Sequence, residues 1–467
     1  MIRNRAELAR IHGGKPARLV LSALEHGLDS VDPQVLIRRA VRFEGELTIL
    51  DISGKKTSVS GFDNAYLVGA GKATARMADA LCTILGRTVA GGSISVPYGD
   101  ATKVSKKNRS LITVTEASHP IPDNSGLQGT HRIVKVLKEA RKNDLVLVLL
   151  SGGGSSLMPF PAPGLRLSDK QNITSKLLRS GADIREMNVV RKHLSSIKGG
   201  QMLKYLGSSC RVISLILSDV IDDDLSIIAS GPTYPDTSTF GDAVSIVRKY
   251  GVAKASDPSM NYLVQGASGR FADTPKPGDP LFHDVKNLLI GSNSLACQSV
   301  VSFLQRKGLR AVYLGSLFDG EAKDLGIFVG RLASHLADCA LPPLAMVLGG
   351  ETTVKMGNKK EGTGGRNQEA ALSCAMAMKN VPAIAAFMGT DGIDGNSDAA
   401  GAIVSQKTAR IAQSKRVNLR AHLASHDSYQ ALRKLRSLIV TGRTGTNVND
   451  VVIIYAHTAN NTRKKTK

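Results

Sequence analysis

Lys72 closes the turn Gly69-Ala-Gly71-Lys72, directly behind the apolar run Ala65–Val68 and ahead of a helical spacing through Met77, Ala80 and Leu81. A glycine turn between a strand and a helix offers free backbone N–H groups and the positive end of a dipole. Together these hold phosphate, and a lysine adds a mobile charge. The motif is no P-loop, since G-x-x-x-x-G-K-[ST] needs glycine where Tyr66 stands and a hydroxyl where Ala73 stands. Nor is it a dinucleotide fingerprint, whose third glycine would take the place of Thr74. The plain alternative is a tight structural turn with a solvent-facing lysine.

A second turn, Ser151-Gly152-Gly153-Gly154-Ser155-Ser156, follows the apolar run Leu145–Leu150. Three consecutive glycines cost conformational entropy and build little by themselves. With hydroxyls on either side they suit a phosphate or nucleotide cradle; a flexible loop is the alternative. A third turn begins at Ser218-Asp219-Val220 and continues into Asp222-Asp223-Asp224. Carboxylates at a strand end suit Mg²⁺, a hard ion that takes oxygen ligands and keeps several waters. Asp219, nearest the strand, is the better candidate, whereas Asp222–Asp224 read as a solvated helix cap.

The last cluster runs through Gly349-Gly350-Glu351-Thr352, Gly364-Gly365-Arg366-Asn367-Gln368-Glu369 and Gly389-Thr390-Asp391-Gly392. Arg366 opens a helix-like segment after a glycine loop, where a guanidinium can hold a carboxylate or phosphate oxygen through two parallel bonds. A surface ion pair is the competing reading. Asp391 fits a turn, a metal ligand or a proton acceptor. The histidines His119, His193, His283 and His426 are scattered, most of them structural. No nucleophile elbow or H-E-x-x-H motif occurs.

The elements that must carry these turns follow from periodicity. Continuous apolar runs that end in glycine-rich turns and lead into amphipathic segments predict strands buried on both faces of a parallel sheet, with ligands at their carboxyl ends. Before them, Leu21, Leu24 and Leu28 keep helical spacing. Residues 255–280, rich in Ser, Gly, Asp and Pro, read as a linker or long surface loop. The fold expected is α/β, with domains at 1–260 and 280–455 and a basic tail at 456–467.

Composition narrows the function. With 61 basic against 39 acidic residues the chain carries a formal +22, but the basic residues are spread along its whole length. Aromatics make up 4% and Trp is absent, so stacking platforms for nucleic acid are poorly supplied. The excess reads as solvated surface that also attracts phosphate-bearing substrates, with no nucleic-acid partner. Five scattered cysteines without a C-x-x-C pair argue against disulfides or a zinc cage and suit buried thiols. No apolar run is long enough for a membrane span, and the charged start Met1-Ile-Arg-Asn-Arg resembles no secretory signal, so a cytoplasmic protein without a membrane partner is expected.

These turns, in this order, resemble the glycerate 2-kinases built from a Rossmann-like N-terminal domain and a MOFRL domain. The likeness rests on Val68-Gly-Ala-Gly-Lys-Ala73, Leu150-Ser-Gly-Gly-Gly-Ser-Ser156, Asn188-Val-Val-Arg-Lys-His-Leu-Ser195 with Lys198-Gly199-Gly200, and Leu217-Ser-Asp-Val220 with Ala229-Ser-Gly-Pro-Thr233. It continues in Gly350-Glu-Thr-Thr-Val354, Gly364-Gly-Arg-Asn-Gln-Glu369, Gly389-Thr-Asp-Gly392 and Thr444-Gly-Thr-Asn-Val-Asn-Asp450. Arg443 departs from the family's proline, and Ser425-His426-Asp427-Ser428 from its paired asparagines.

The resemblance implies a Rossmann-like parallel sheet followed by a smaller α/β MOFRL-type domain. It also implies transfer of the ATP γ-phosphoryl group to the C2 hydroxyl of D-glycerate in the interdomain cleft, giving 2-phosphoglycerate. Lys72 and Arg366 match the catalytic pair. Gly69, Gly71, Ser151, Gly152, Gly153, Gly154, Ser155, Ser156, Lys198, Gly199 and Gly200 would hold nucleotide phosphates. Asp219 or Asp391 would bind Mg²⁺ or take the hydroxyl proton. Some relatives carry the name hydroxypyruvate reductase, so an NAD(P)H-dependent reductase is the rival reading. The assembly expected is a monomer or a homodimer.

Overall fold

The computed structural model describes residues 1–207, 210–339, 343–356 and 362–457; most of the basic tail 456–467 therefore lies outside the described residues. The chain forms two compact units, one of Pro33–Gly291 and one that joins Met1–Asp32 to Ser292–Lys467.

The first unit opens with the helix Pro33–Ala40 and a small antiparallel meander, β1 (Val41–Phe43), β2 (Leu47–Leu50) and β3 (Lys56–Val59). Burial alternates along β2 and β3, as on a sheet with one wet face. Six parallel strands follow: β4 (Ala65–Ala70), β5 (Val89–Pro97), β6 (Thr113–Ala117), β7 (Leu145–Ser151), β8 (Arg211–Leu217) and β9 (Val285–Gly291). Every residue of β7 is buried, which explains its unbroken apolar run.

The strand order is β6-β5-β4-β7-β8-β9. This is the doubly wound Rossmann order, and it reverses direction between β4 and β7, where such sheets bind ligands. The turns after β4 and β7 are the two glycine motifs that contain Lys72 and Gly152–Gly154.

A satellite of four helices, Leu167–Arg179, Ile184–His193, Phe240–Lys249 and Pro258–Ala267, packs around its own core of Ile173, Leu177, Val190, Val247 and Leu263. The last helix lies in the stretch read from sequence as a linker. Asp257 followed by Pro258 starts it, with the proline in the first turn, where its missing N–H is no loss. The strand β9 then completes the first sheet, so the unit ends at Gly291 rather than near 260.

The second unit carries β10 (Arg310–Tyr313), β11 (Leu344–Gly350), β12 (Ala383–Gly389), β13 (Gly401–Ser405), β14 (Leu438–Ile439) and β15 (Asp450–Ala456) in one mixed sheet, ordered β10-β11-β15-β12-β13-β14. Only β10 and β11 pair in parallel. The strand β15 runs antiparallel between β11 and β12, so Asp450 at its start is level with Gly350 and Gly389 at their ends. That register gathers three distant turns.

The first residues belong here too. The helix Lys15–Ser30 buries Val20, Leu21, Leu24 and Leu28, in keeping with their spacing. Gly27 lets it approach the helix Asn293–Arg306, since a Cβ at that position would stand 2.6 Å from Val300. Arg3 N–H donates to the Val440 carbonyl at 2.8 Å. These contacts group residues 1–32 with the second unit, where the sequence reading had grouped them with residues up to 260. Four of the five cysteines are buried as expected, but Cys339, beyond the end of the helix Ala322–Asp338, is exposed.

Candidate functional site

In the first unit the turns after β4 and β7 are locked together. The Lys72 N–H donates to the Gly152 carbonyl at 2.9 Å, and the Ala73 N–H to the Ser151 hydroxyl at 3.0 Å. Gly71 has to be glycine, because a Cβ there would run into the Ser151 hydroxyl and carbonyl. Thr74, fully buried, places its hydroxyl 3.3 Å from that of Ser151. The Ser151 side chain therefore ties the two loops to each other and is spent inside the protein.

The loop Gly152–Gly154 is edged by functional groups. A Cβ on Gly152 would overlap the Asp219 carboxylate, so the carboxylate lies against this loop. Gly153 adopts φ +80, and a Cβ there would stand 2.8 Å from the His119 ring and 3.4 Å from Lys72 Cγ. Lys72, His119 and Asp219 thus border one glycine loop. Among the described residues, the amides of Gly153, Gly154 and Ser155 donate to no protein acceptor. His119, which the sequence reading left unassigned, is pushed down to about 4 by burial and secondarily by the Lys72 charge, so its ring is neutral beside the lysine.

The segment Lys198–Gly200 is positioned differently from a simple phosphate cradle. The Gly199 N–H donates to the Ser230 carbonyl at 2.9 Å and the Gly200 N–H to the Gly231 carbonyl at 2.8 Å. Lys198 Nζ donates to the Ser155 carbonyl and hydroxyl, both at 2.7 Å. The two glycine amides are consumed in holding Ala229–Gly231, while the lysine side chain reaches the glycine loop at Ser155. Asp222 and Asp224 pair with Arg185 at the surface, as suits a solvated turn.

In the second unit, Arg366 stands at the start of the helix Arg366–Ala377. Its Nε donates to Asp450 Oδ2 at 2.6 Å, its Nη2 to Asp450 Oδ1 at 3.1 Å, and its Nη1 to Glu351 Oε1 at 2.7 Å. Burial opposes the charge on Arg366, but the carboxylates of Asp450 and Glu351 raise its pKa and keep it a cation. Asp394 caps the same helix by accepting the N–H groups of Asn367 at 3.1 Å and Gln368 at 2.8 Å. Burial, then the Asp450 charge, pushes the Asp394 carboxyl up to about 6.

Arg366 and Asp391 line a pocket of ≈ 620 Å³ together with Thr352, Glu369, Asp394 and His426. His426 Nδ1 lies 3.0 Å from Glu369 Oε2. Asp391 accepts the Ile393 N–H at 3.1 Å, which is the turn its sequence suggested. Among the described residues no group of three or more His, Cys, Asp or Glu could hold a metal, and no helix is long and apolar enough to cross a membrane.

Both units are matched among known proteins. Residues 19–265 match a family described as "Domain of unknown function (DUF4147)", and residues 344–450 match the MOFRL family. A glycerate 2-kinase of Pyrococcus horikoshii is 38% identical, over 93% of this chain and 96% of its own. The chain belongs to the glycerate 2-kinase family with a MOFRL domain. A D-glycerate 2-kinase of Thermotoga maritima from the same family is 39% identical, over 84% of this chain and 90% of its own. The crystal structure of a glycerate kinase from Thermotoga maritima superposes with a TM-score of 0.81, at 36% identity, over 94% of this chain and 99% of that one. Membership of this family makes the chain an enzyme of the kinase class.

Proposed function

We propose that the protein phosphorylates D-glycerate at its C2 hydroxyl with ATP, giving 2-phosphoglycerate and ADP. The observation that supports this most is that Lys72, in the turn after β4, borders the loop after β7 whose Gly153–Ser155 amides are free, at the switch point of the Rossmann sheet. Phosphoryl transfer asks for positioning and charge stabilisation more than for covalent help. In this reading the Gly153, Gly154 and Ser155 amides hold phosphate oxygens and Lys72 neutralises charge on the transferring group. The neutral His119 adds no second positive charge that would displace the lysine.

The bond from the γ-phosphorus to the bridging oxygen breaks, a bond to the C2 oxygen forms, and the hydroxyl proton passes to a carboxylate. Asp219, against the glycine loop, and Asp391, in the Arg366 pocket, are the proposed acceptors. Asp219 or Asp391 would supply the protein contact of a Mg²⁺ ion, whose charge would offset that of the phosphates. Three of the five Arg366 donors are spent on Glu351 and Asp450, so the remaining two on its Nη atoms are assigned to a phosphoryl oxygen. The reading requires Lys72 and Arg366, one from each unit, to serve the same turnover.

The reductase reading fits less well. Thr74 occupies the place of the third fingerprint glycine, and its buried hydroxyl is committed to Ser151. The test offers the protein D-glycerate with ATP and Mg²⁺, and separately hydroxypyruvate with NADH or NADPH. ADP release that depends on D-glycerate supports the kinase. Oxidation of the nicotinamide without ADP release would replace it with the reductase.

A further inference from the structure

Beside Lys198, which reaches Ser155 of the glycine loop, two further cations, Lys170 and Arg191, received no role from the sequence reading. Lys170, on the helix Leu167–Arg179, is only 7% exposed, and its ammonium meets no hydrogen-bond partner among the described residues. Lys198 is 2% exposed and donates to Ser155. The Ser155 hydroxyl lies 3.0 Å from that of Ser230, which donates to Asn188 Oδ1 at 3.0 Å. Arg191, three residues after Asn188 on the helix Ile184–His193, shares its face. Burial holds the Lys198 ammonium well below its ordinary range, and the Lys170 and Arg191 charges push the same way.

No carboxylate pairs with any of the three among the described residues. The neighbouring basic side chains show what a structural solution looks like. Lys192 lies 3.2 Å from Asp236, and His193 lies 2.9 Å from Asp273. Buried charge without a partner costs several kcal/mol per group, so a cluster left uncompensated is poorly explained by packing. It is well explained if the counter-charge arrives with a ligand.

The ligand's chemistry follows from a comparison within the chain. Arg366 would have been the natural grip for a substrate carboxylate, but Glu351 and Asp450 already neutralise it. Lys170, Arg191 and Lys198 carry no such neutralising carboxylate among the described residues, and Lys198 is bonded to Ser155. A planar guanidinium suits a carboxylate, and Lys198 joins this group to Ser155, whose amide belongs to the proposed phosphate loop. We propose that Arg191, Lys170 and Lys198 form the site for the carboxylate of the hydroxy-acid substrate. The kinase reading supplies only the identity of the acid.

The experiment uses the full chain, Arg191→Ala and Lys170→Met. Thermal unfolding is followed with and without D-glycerate, no nucleotide present, and KM is then measured for D-glycerate and for ATP. Arg191→Ala should raise KM for D-glycerate by about 10-fold or more, the scale of one charged hydrogen bond, with KM for ATP within about twofold. Lys170→Met should raise Tm of the free protein, because an unpaired buried charge is gone, and should diminish the upward shift caused by D-glycerate. A cation with a purely structural role would instead lower Tm when lost and leave the ligand shift intact.

A rise in KM for ATP alone would assign the cluster to nucleotide phosphate and overturn the proposal. So would an unaltered protein whose Tm ignores millimolar D-glycerate. Stabilisation by D-glycerate that Lys170→Met diminishes, in a protein that transfers no phosphate, would sink the kinase reading and leave the carboxylate site standing. Normal kinase activity with an unchanged KM for D-glycerate in Arg191→Ala would do the reverse.

Discussion

Arg366 and Asp450 face each other through two parallel hydrogen bonds, 2.6 Å from Nε to Oδ2 and 3.1 Å from Nη2 to Oδ1. The pair joins the start of a helix to the start of β15, and β15 sets Asp450 level with the ends of β11 and β12. Arg366→Ala would leave Asp450 buried beside Asp394 with no cation. Breaking a buried pair from one side costs about 3–5 kcal/mol. The variant should therefore lose stability as well as turnover, read as a lower denaturant midpoint together with a lower kcat. An unchanged midpoint would mean the pair contributes little to the fold.

Ser151 offers the opposite separation. Its hydroxyl accepts the Ala73 N–H and meets Thr74, so Ser151→Ala strands a buried amide. The expected cost is about 1–3 kcal/mol of stability. KM for ATP should change little, because the hydroxyl faces inward. A variant of normal Tm with a large rise in KM for ATP would return Ser151 to the phosphate ligands.

Asp394 makes a prediction with a definite sign. Its folded pKa of about 6 lies above the ordinary carboxyl value of 3.8. Between these values the folded state holds a proton that the unfolded state has lost. The stabilising contribution is therefore fully present below about pH 4 and lost as pH rises through 6. Two units correspond to roughly 3 kcal/mol. The unfolding free energy of the native protein minus that of Asp394→Asn should fall between pH 4 and 7. His12 and His119, both pushed down to about 4, titrate in the same window but are common to both proteins. A difference that rises with pH would show the two helix amides winning over burial.

Lys72→Ala should lower kcat by at least about 100-fold, the scale of losing one transition-state donor. Lys72 makes its fixed contact through the backbone, which alanine retains, so Tm should hold. Near-normal turnover in a folded variant would remove Lys72 from the proposed chemistry.

Much of the fold was legible because burial on both faces leaves a plain trace. The runs Leu145–Leu150 and Val212–Leu217 became β7 and β8. The helix Pro258–Ala267 was missed because its polar flanks outweighed a start signal that was present, Asp257-Pro258. The mixed second sheet and the register of Asp450 were not legible. Pairing between residues 84 positions apart leaves no local pattern. The turns around Lys72 and Arg366 could be found from their glycines. The commitment of Ser151, Gly199 and Gly200 to internal bonds could not, since a free and a spent donor have the same sequence. Lys170 and Arg191 stayed hidden for a related reason. Helical lysines and arginines are ordinarily surface residues, and only the burial of Lys170 and the partial burial of Arg191 separate them from the rest of the basic excess.

The most direct test of the account is the identity of the product. The purified protein is supplied with D-glycerate, ATP and Mg²⁺, and the product is offered to enolase with no phosphoglycerate mutase present. The account predicts immediate conversion by enolase, which accepts 2-phosphoglycerate, and no product when ATP is withheld. A phosphorylated product that enolase accepts only after mutase is added would be 3-phosphoglycerate, and would contradict transfer to the C2 hydroxyl.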